Sequence, residues 1–105
     1  MTKAVFYLCN GAVTGFCVTG HSSKDCDDEL GKTVCAAVSS AVYMAANTVL
    51  EVLGQPADTA VNDADFRFRV KTGSKQSDIV LRGLKLHLEG LAEQYPDRIE
   101  VLTEV

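Results

Sequence analysis

The stretch KAVFYLCNGAVTGFCVT, Lys3 to Thr19, decides the fold. Its centre is Asn10-Gly11, the pair best able to take the two positive φ angles of a tight hairpin turn. On either side stand short runs of β-branched, aromatic and other apolar residues, so Lys3–Cys9 and Ala12–Thr19 read as paired antiparallel strands. A two-residue turn pairs Cys9 with Ala12 and Tyr7 with Thr14. Val5, Tyr7, Thr14, Phe16 and Val18 then share one face, and Phe6, Leu8, Val13 and Cys17 the other. Both faces carry apolar residues, so the second is expected to be covered as well, by another subunit.

Beyond the hairpin the pattern changes twice. Gly20 to Gly31 has neither a helical nor a strand period and is rich in Ser and Asp, which marks a long loop, either functional or disordered. Lys32 to Leu53 then repeats Val34, Val38, Ala41, Ala45, Val49 and Val52 at three- and four-residue steps, the mark of an amphipathic helix. Gly54 and Pro56 stop it. Asp58–Val61 is a weak strand candidate. Asn62 to Asp65 is a turn cluster, and Phe66, Phe68 and Val70 alternate with Arg67, Arg69 and Lys71 as a half-buried strand. Ser77 or Asp78 can cap a second helix reaching about Tyr95. Its apolar stripe is Val80, Leu81, Leu84, Leu88, Leu91 and Tyr95, and His87 beside it is expected to be partly buried. Ile99 to Val105 closes the chain as a strand. The expected fold class is α+β: a two-layer sandwich in ββαββαβ order, with two helices packed on a largely antiparallel sheet. Residues 1–105 form a single expected domain.

Composition narrows the function. Apolar residues make up 47% and charged residues 23% of the 105 residues, so one real core is expected. A net charge of −4 argues against direct nucleic-acid binding. No run of 18 apolar residues suggests a membrane span, and the six apolar residues after Lys3 are too few for a secretory signal. Cys9, Cys17, Cys26 and Cys35 lack the spacing of a zinc site or a CxxC redox motif, so no metal and no cofactor are expected. A reduced, cytoplasmic protein is the expectation. Cys9 and Cys17, in strands, read as packing residues, and Cys26 as exposed.

Two residues stand out chemically. His21 follows Gly20 at the end of the second strand, and Cys35 falls at the predicted start of the long helix. Free N–H groups and the helix dipole there favour a thiolate and can hold an oxyanion. His21 can move the proton. Ser39 lies one turn beyond Cys35, where its hydroxyl can orient the imidazole or the substrate. A cysteine in an Ala/Val-rich helix equally suits a small buried apolar position. The loop residues Ser22, Ser23, Asp25, Asp27, Asp28 and Glu29 are a solvated turn or, beside a cleft, an acidic field that attracts a basic substrate.

Gly20-His21 and the helix start Val34-Cys35-Ala36-Ala37-Val38-Ser39 resemble the ribosomal-processing cysteine proteases of the Prp family. Asn10-Gly11, Val49–Gly54 and Leu88–Val101 with Tyr95-Pro96 extend the likeness over nearly the whole chain. The resemblance implies an endopeptidase that removes the N-terminal extension of a large-subunit ribosomal protein. It implies Cys35 as nucleophile, His21 as acid and base, Ser39 as a serine near the site, and a homodimer. Lys32 stands where members commonly carry an Asp. Two other readings fit the residues: a non-catalytic dimeric factor that binds a ribosomal protein or assembly intermediate, and a thiol redox carrier with Cys26 as resolving partner.

Overall fold

Asn10 and Gly11 take φ of 52° and 80°, and Cys9 faces Ala12 across them as the turn chemistry requires. The register then slips. Leu8 opposes Val13, but Tyr7 opposes Gly15 rather than Thr14, which is the extra residue of a β-bulge. One inserted residue exchanges the two faces of everything beyond it. Phe16 and Val18 therefore join Ala4, Phe6 and Val13 on the buried side, while Val5, Tyr7 and Cys17 turn outward. The expected face assignment fails only past the bulge. Gly15 marks its position, because a Cβ there would stand 2.4 Å from the Phe68 carbonyl oxygen.

The computed structural model describes all 105 residues. In chain order the elements are β1 (Thr2–Cys9), β2 (Ala12–Thr19), α1 (Glu29–Asn47), a π-helical turn (Thr48–Val52), β3 (Ala57–Asn62), β4 (Asp65–Val70), α2 (Lys75–Gln94) and β5 (Ile99–Glu104). The strands form one sheet in the order β3-β4-β2-β1-β5. Only β5 runs parallel to its neighbour, β1, and the remaining pairs are antiparallel. The expected α+β architecture and element order hold.

Helix boundaries differ from the periodic pattern because caps, not apolar residues, set them. α1 begins at Glu29, where the Asp28 carboxylate accepts the Gly31 N–H at 3.0 Å. α2 begins at Lys75, because Ser74 and Ser77 cap it reciprocally, about one helical turn earlier than a Ser77 or Asp78 cap. Asp78 instead accepts the Val13 N–H at 2.7 Å and so fastens α2 to the hairpin. That bond, aided by Arg82, holds its carboxyl below the usual range. Glu29–Val52 has the length and apolar content of a membrane span, yet its Val34, Val38, Val42, Ala45 and Val49 stripe lies buried in the core.

Phe16 is the centre of that core. Its ring stacks on Phe68 at 5.3 Å and lies 5.5 Å from Phe66 and 6.1 Å from Phe6. Leu81, Leu84 and Leu88 of α2 complete it. On the outer face the Arg69 guanidinium lies 4.9 Å over the Tyr7 ring, and Cys17 is half-buried, with its thiol pKa pushed up by burial. Cys9 is exposed rather than packed, since β1 ends at the turn. His87 is exposed too, on the solvent side of α2, and Val105 lies beyond β5 in solvent. Phe16→Ala should destabilise the fold by about 3–5 kcal/mol, read as a lower urea midpoint.

Candidate active site

The strand β2 ends at Gly20, and its geometry decides where His21 goes. Gly20 has φ of +87°, and a Cβ there would meet the Met1 carbonyl oxygen at 2.5 Å. Only glycine fits both constraints. Its N–H donates to the Ala64 carbonyl at 2.9 Å, tying this bend to the β3–β4 turn. His21 thereby enters a cavity of about 200 Å³ whose walls include Cys35, Ser39, Tyr43, Asn62 and Asp63. His21 and Ser39 are exposed there, and Cys35 is half-buried.

The next residue is the best-held in the loop. Ser22 is 3% exposed, and each of its polar atoms has a partner. Its N–H donates to Cys35 Sγ at 3.0 Å. Its carbonyl accepts from Arg98 Nη1 at 3.1 Å. Its hydroxyl donates to the Arg98 carbonyl at 3.0 Å and lies 2.7 Å from Thr2 Oγ1. Arg98 also pairs with Asp28, which accepts N–H groups from Lys24 and Gly31. These backbone donors, followed by Arg98, hold the Asp28 carboxyl well down, to about 2.

Gly31 lets the loop lie this close to α1. A Cβ at Gly31 would stand 2.4 Å from Ser23 Cα and 2.7 Å from the Ser22 carbonyl oxygen. Gly31 precedes Cys35 by four residues, so both are on one helix face. Backbone therefore passes directly over the helix and places an amide on the sulfur.

The site predicted from sequence is partly redrawn. His21, Cys35, Ser39 and Gly20 come together around one cavity, as the spacing suggested. Cys35, however, stands in the second turn of α1, because the helix starts at Glu29. Its own amide lies past the unpaired first turn, so the free helix-start donors are not at the sulfur. The Ser22 N–H takes that place. Ser22 and Asp28 are framework rather than open loop surface. Ser23 packs against Gly31, while Asp25, Asp27 and Glu29 remain exposed. Lys32 Nζ turns to Glu29 at 3.5 Å.

The sequence assigned no role at the site to Thr2, Gly31 or Arg98, and it marked Asn62–Asp65 as a turn without placing it at the cavity. Gly31 alone carried a signal, since a glycine inside a helix start implies close backbone approach. Arg98 and Thr2 lie 76 and 20 residues from Ser22, with nothing local to connect them.

A thiol that receives an amide hydrogen bond and shares a cavity with an imidazole has the chemical groups that a thiol hydrolase uses. The chain belongs to the family described as cysteine protease Prp, whose profile matches residues 1–100. No curated protein is matched. Among solved structures, an S. aureus ribosomal processing protease Prp with a covalently linked product peptide superposes with a TM-score of 0.86 at 20% identity, covering 99% of this chain and 100% of that one. The S. aureus protease with a substrate peptide gives 0.87 at 19%, with the same coverage. A Streptococcus mutans protein gives 0.83 at 18%, covering 99% of each chain. These likenesses show the same fold.

The Asp28 network should be acid-sensitive in one direction. A carboxyl depressed in the folded state stabilises it above the ordinary carboxylate range and stops doing so as pH falls through the folded value. Asp28→Asn should lower Tm at pH 7, and the gap from wild type should close as pH falls from 3.8 to about 2. Thermal melts across that range check it.

Proposed function

We propose that this protease removes an N-terminal extension from a large-subunit ribosomal protein, with Cys35 as nucleophile and His21 as general acid and base. The observation that carries the chemistry is the Cys35 sulfur, bonded by the Ser22 N–H in the cavity that His21 also lines. Family membership supports the reaction class. The ribosomal substrate rests on similarity to the S. aureus processing protease.

In this reading His21 holds the thiol proton as imidazolium. The Cys35 thiolate attacks the scissile carbonyl carbon, a C–S bond forms, and the carbonyl electron pair moves to oxygen. Collapse re-forms the carbonyl and breaks the C–N bond. His21 gives its proton to the leaving amine. Water then loses a proton to His21 and attacks the thioester. Release of the carboxylic acid returns thiolate and imidazolium. Asp25 and Asp27 are exposed on the loop that joins His21 to α1, and their charge favours a basic segment in the substrate.

The test is a mass-spectrometric cleavage assay on the extended N-terminal segment of the host's large-subunit ribosomal protein. The wild type should make a single cut. Cys35→Ala and His21→Ala should each lower the rate by about 10³-fold or more while far-UV circular dichroism stays unchanged. Undiminished cutting by folded Cys35→Ala sinks the assignment.

A further inference from the structure

We infer that the backbone N–H of Ser22 is the donor that meets the negative charge of this reaction, and that Arg98 is the positioning residue that aims it. The inference rests on Cys35 being the nucleophile. It supplies what the helix start does not, a donor at the sulfur.

The geometry argues in three steps. First, the Ser22 N–H makes the only hydrogen bond that Cys35 Sγ receives, at 3.0 Å. When the thiolate attacks, its charge passes to the carbonyl oxygen, two bonds away from sulfur. A donor already at the sulfur is within reach of that oxygen, and as the C–S bond forms the sulfur ceases to compete for it. Second, the amide of Cys35 is inside α1, where helical amides bond the carbonyl four residues back, so it is not free to serve. Third, the residue that carries this N–H cannot drift. Arg98 holds its carbonyl, the Arg98 carbonyl and Thr2 hold its hydroxyl, and Gly31 leaves no gap beneath it. A donor fixed before reaction needs no reorganisation during it.

Arg98 acts at a distance. Its side chain is 15% exposed, and its guanidinium bridges the Ser22 carbonyl and the Asp28 carboxylate that caps α1. It therefore fixes the loop against the helix that carries Cys35. Loss of Arg98 frees Ser22 to turn about its backbone, and its N–H loses its aim, while Arg98 itself does not line the cavity.

A backbone donor can be removed by one atom. Semisynthesis can join residues 1–25 to Cys26–Val105 at Cys26, with an ester in place of the peptide bond between His21 and Ser22. The full chain then keeps every side chain and loses only the Ser22 N–H. Cleavage kinetics on the ribosomal-protein segment would compare it with an all-amide control joined the same way, and with Arg98→Met, Arg98→Lys and Cys35→Ala. The ester should lower kcat about 10²-fold or more with KM within about threefold. Arg98→Met should lower kcat at least about tenfold, and Arg98→Lys should recover part of that, since an ammonium can still hold one carbonyl. A purely structural Arg98 would instead show a fall in Tm with kcat of the folded fraction unchanged.

An ester chain with the control's kcat overturns the inference, whatever the Arg98 variants do. Should Arg98→Met fail to fold, the ester chain decides alone. Activity in Cys35→Ala overturns the nucleophile assignment and this inference with it, whereas an inert Cys35→Ala beside a fully active ester chain overturns the inference only. If the wild type leaves the peptide uncut, iodoacetamide provides the readout. Cys35 should then alkylate severalfold more slowly in the ester chain than in the control, relative to the exposed Cys26. Equal relative rates overturn the inference.

Discussion

The hydrogen bond from the Ser22 N–H to Cys35 Sγ is the constraint around which the site is arranged. It requires a loop to cross a helix at backbone contact, and two glycines permit that. Gly20 allows the chain to leave β2 against the Met1 carbonyl, and Gly31 removes the side chain that would hold the loop away from α1. Arg98, Thr2 and Asp28 then occupy the remaining polar atoms of the crossing. A polar segment taken out of water is costly unless its groups are paired, and here pairing also gives it one orientation.

The rest of the fold serves as a rigid base for this crossing. Phe16 locks β2 to β1 and β4 through three ring contacts, so the end of β2, from which Gly20 and His21 emerge, is held from both sides. On the far side of the cavity the Tyr43 ring meets Phe66 edge-on at 5.0 Å, joining α1 to β4. The Gly20 N–H reaches Ala64 in the β3–β4 turn. The cavity is thus bounded by elements that share one core, a condition for placing a thiol and an imidazole reproducibly.

Much of this was legible in the sequence. Asn10-Gly11 announced the hairpin, the valine steps announced α1, and the leucine steps announced α2, because turn chemistry and apolar period act locally. Cys35, His21 and Ser39 were singled out by residue type and spacing, and they line one cavity. What escaped depended on one-residue offsets or on distant partners. The bulge at Thr14 reversed the faces of β2, and no local pattern distinguishes a regular strand from one with an extra residue. Asp28 looked like one more acidic loop residue, yet it caps α1 and pairs with Arg98, 70 residues away. That cap moved the helix start and so removed the free amides from Cys35. The same loop contained the replacement, but only its crossing of the helix reveals it.

The parallel pairing of β5 with β1 brings the last strand beside the first, and Arg98 stands immediately before it. The Thr2 N–H and the Ser22 hydroxyl both donate to the carbonyl of that same residue. During synthesis, Gly20, His21, Ser22 and Cys35 all leave the ribosome well before Arg98 does. The early part of the chain can hold both the thiol and the imidazole, while the anchor of the loop between them follows only after α2. The finished geometry of this site therefore waits for Arg98, and no fragment that stops short of it holds the loop in place.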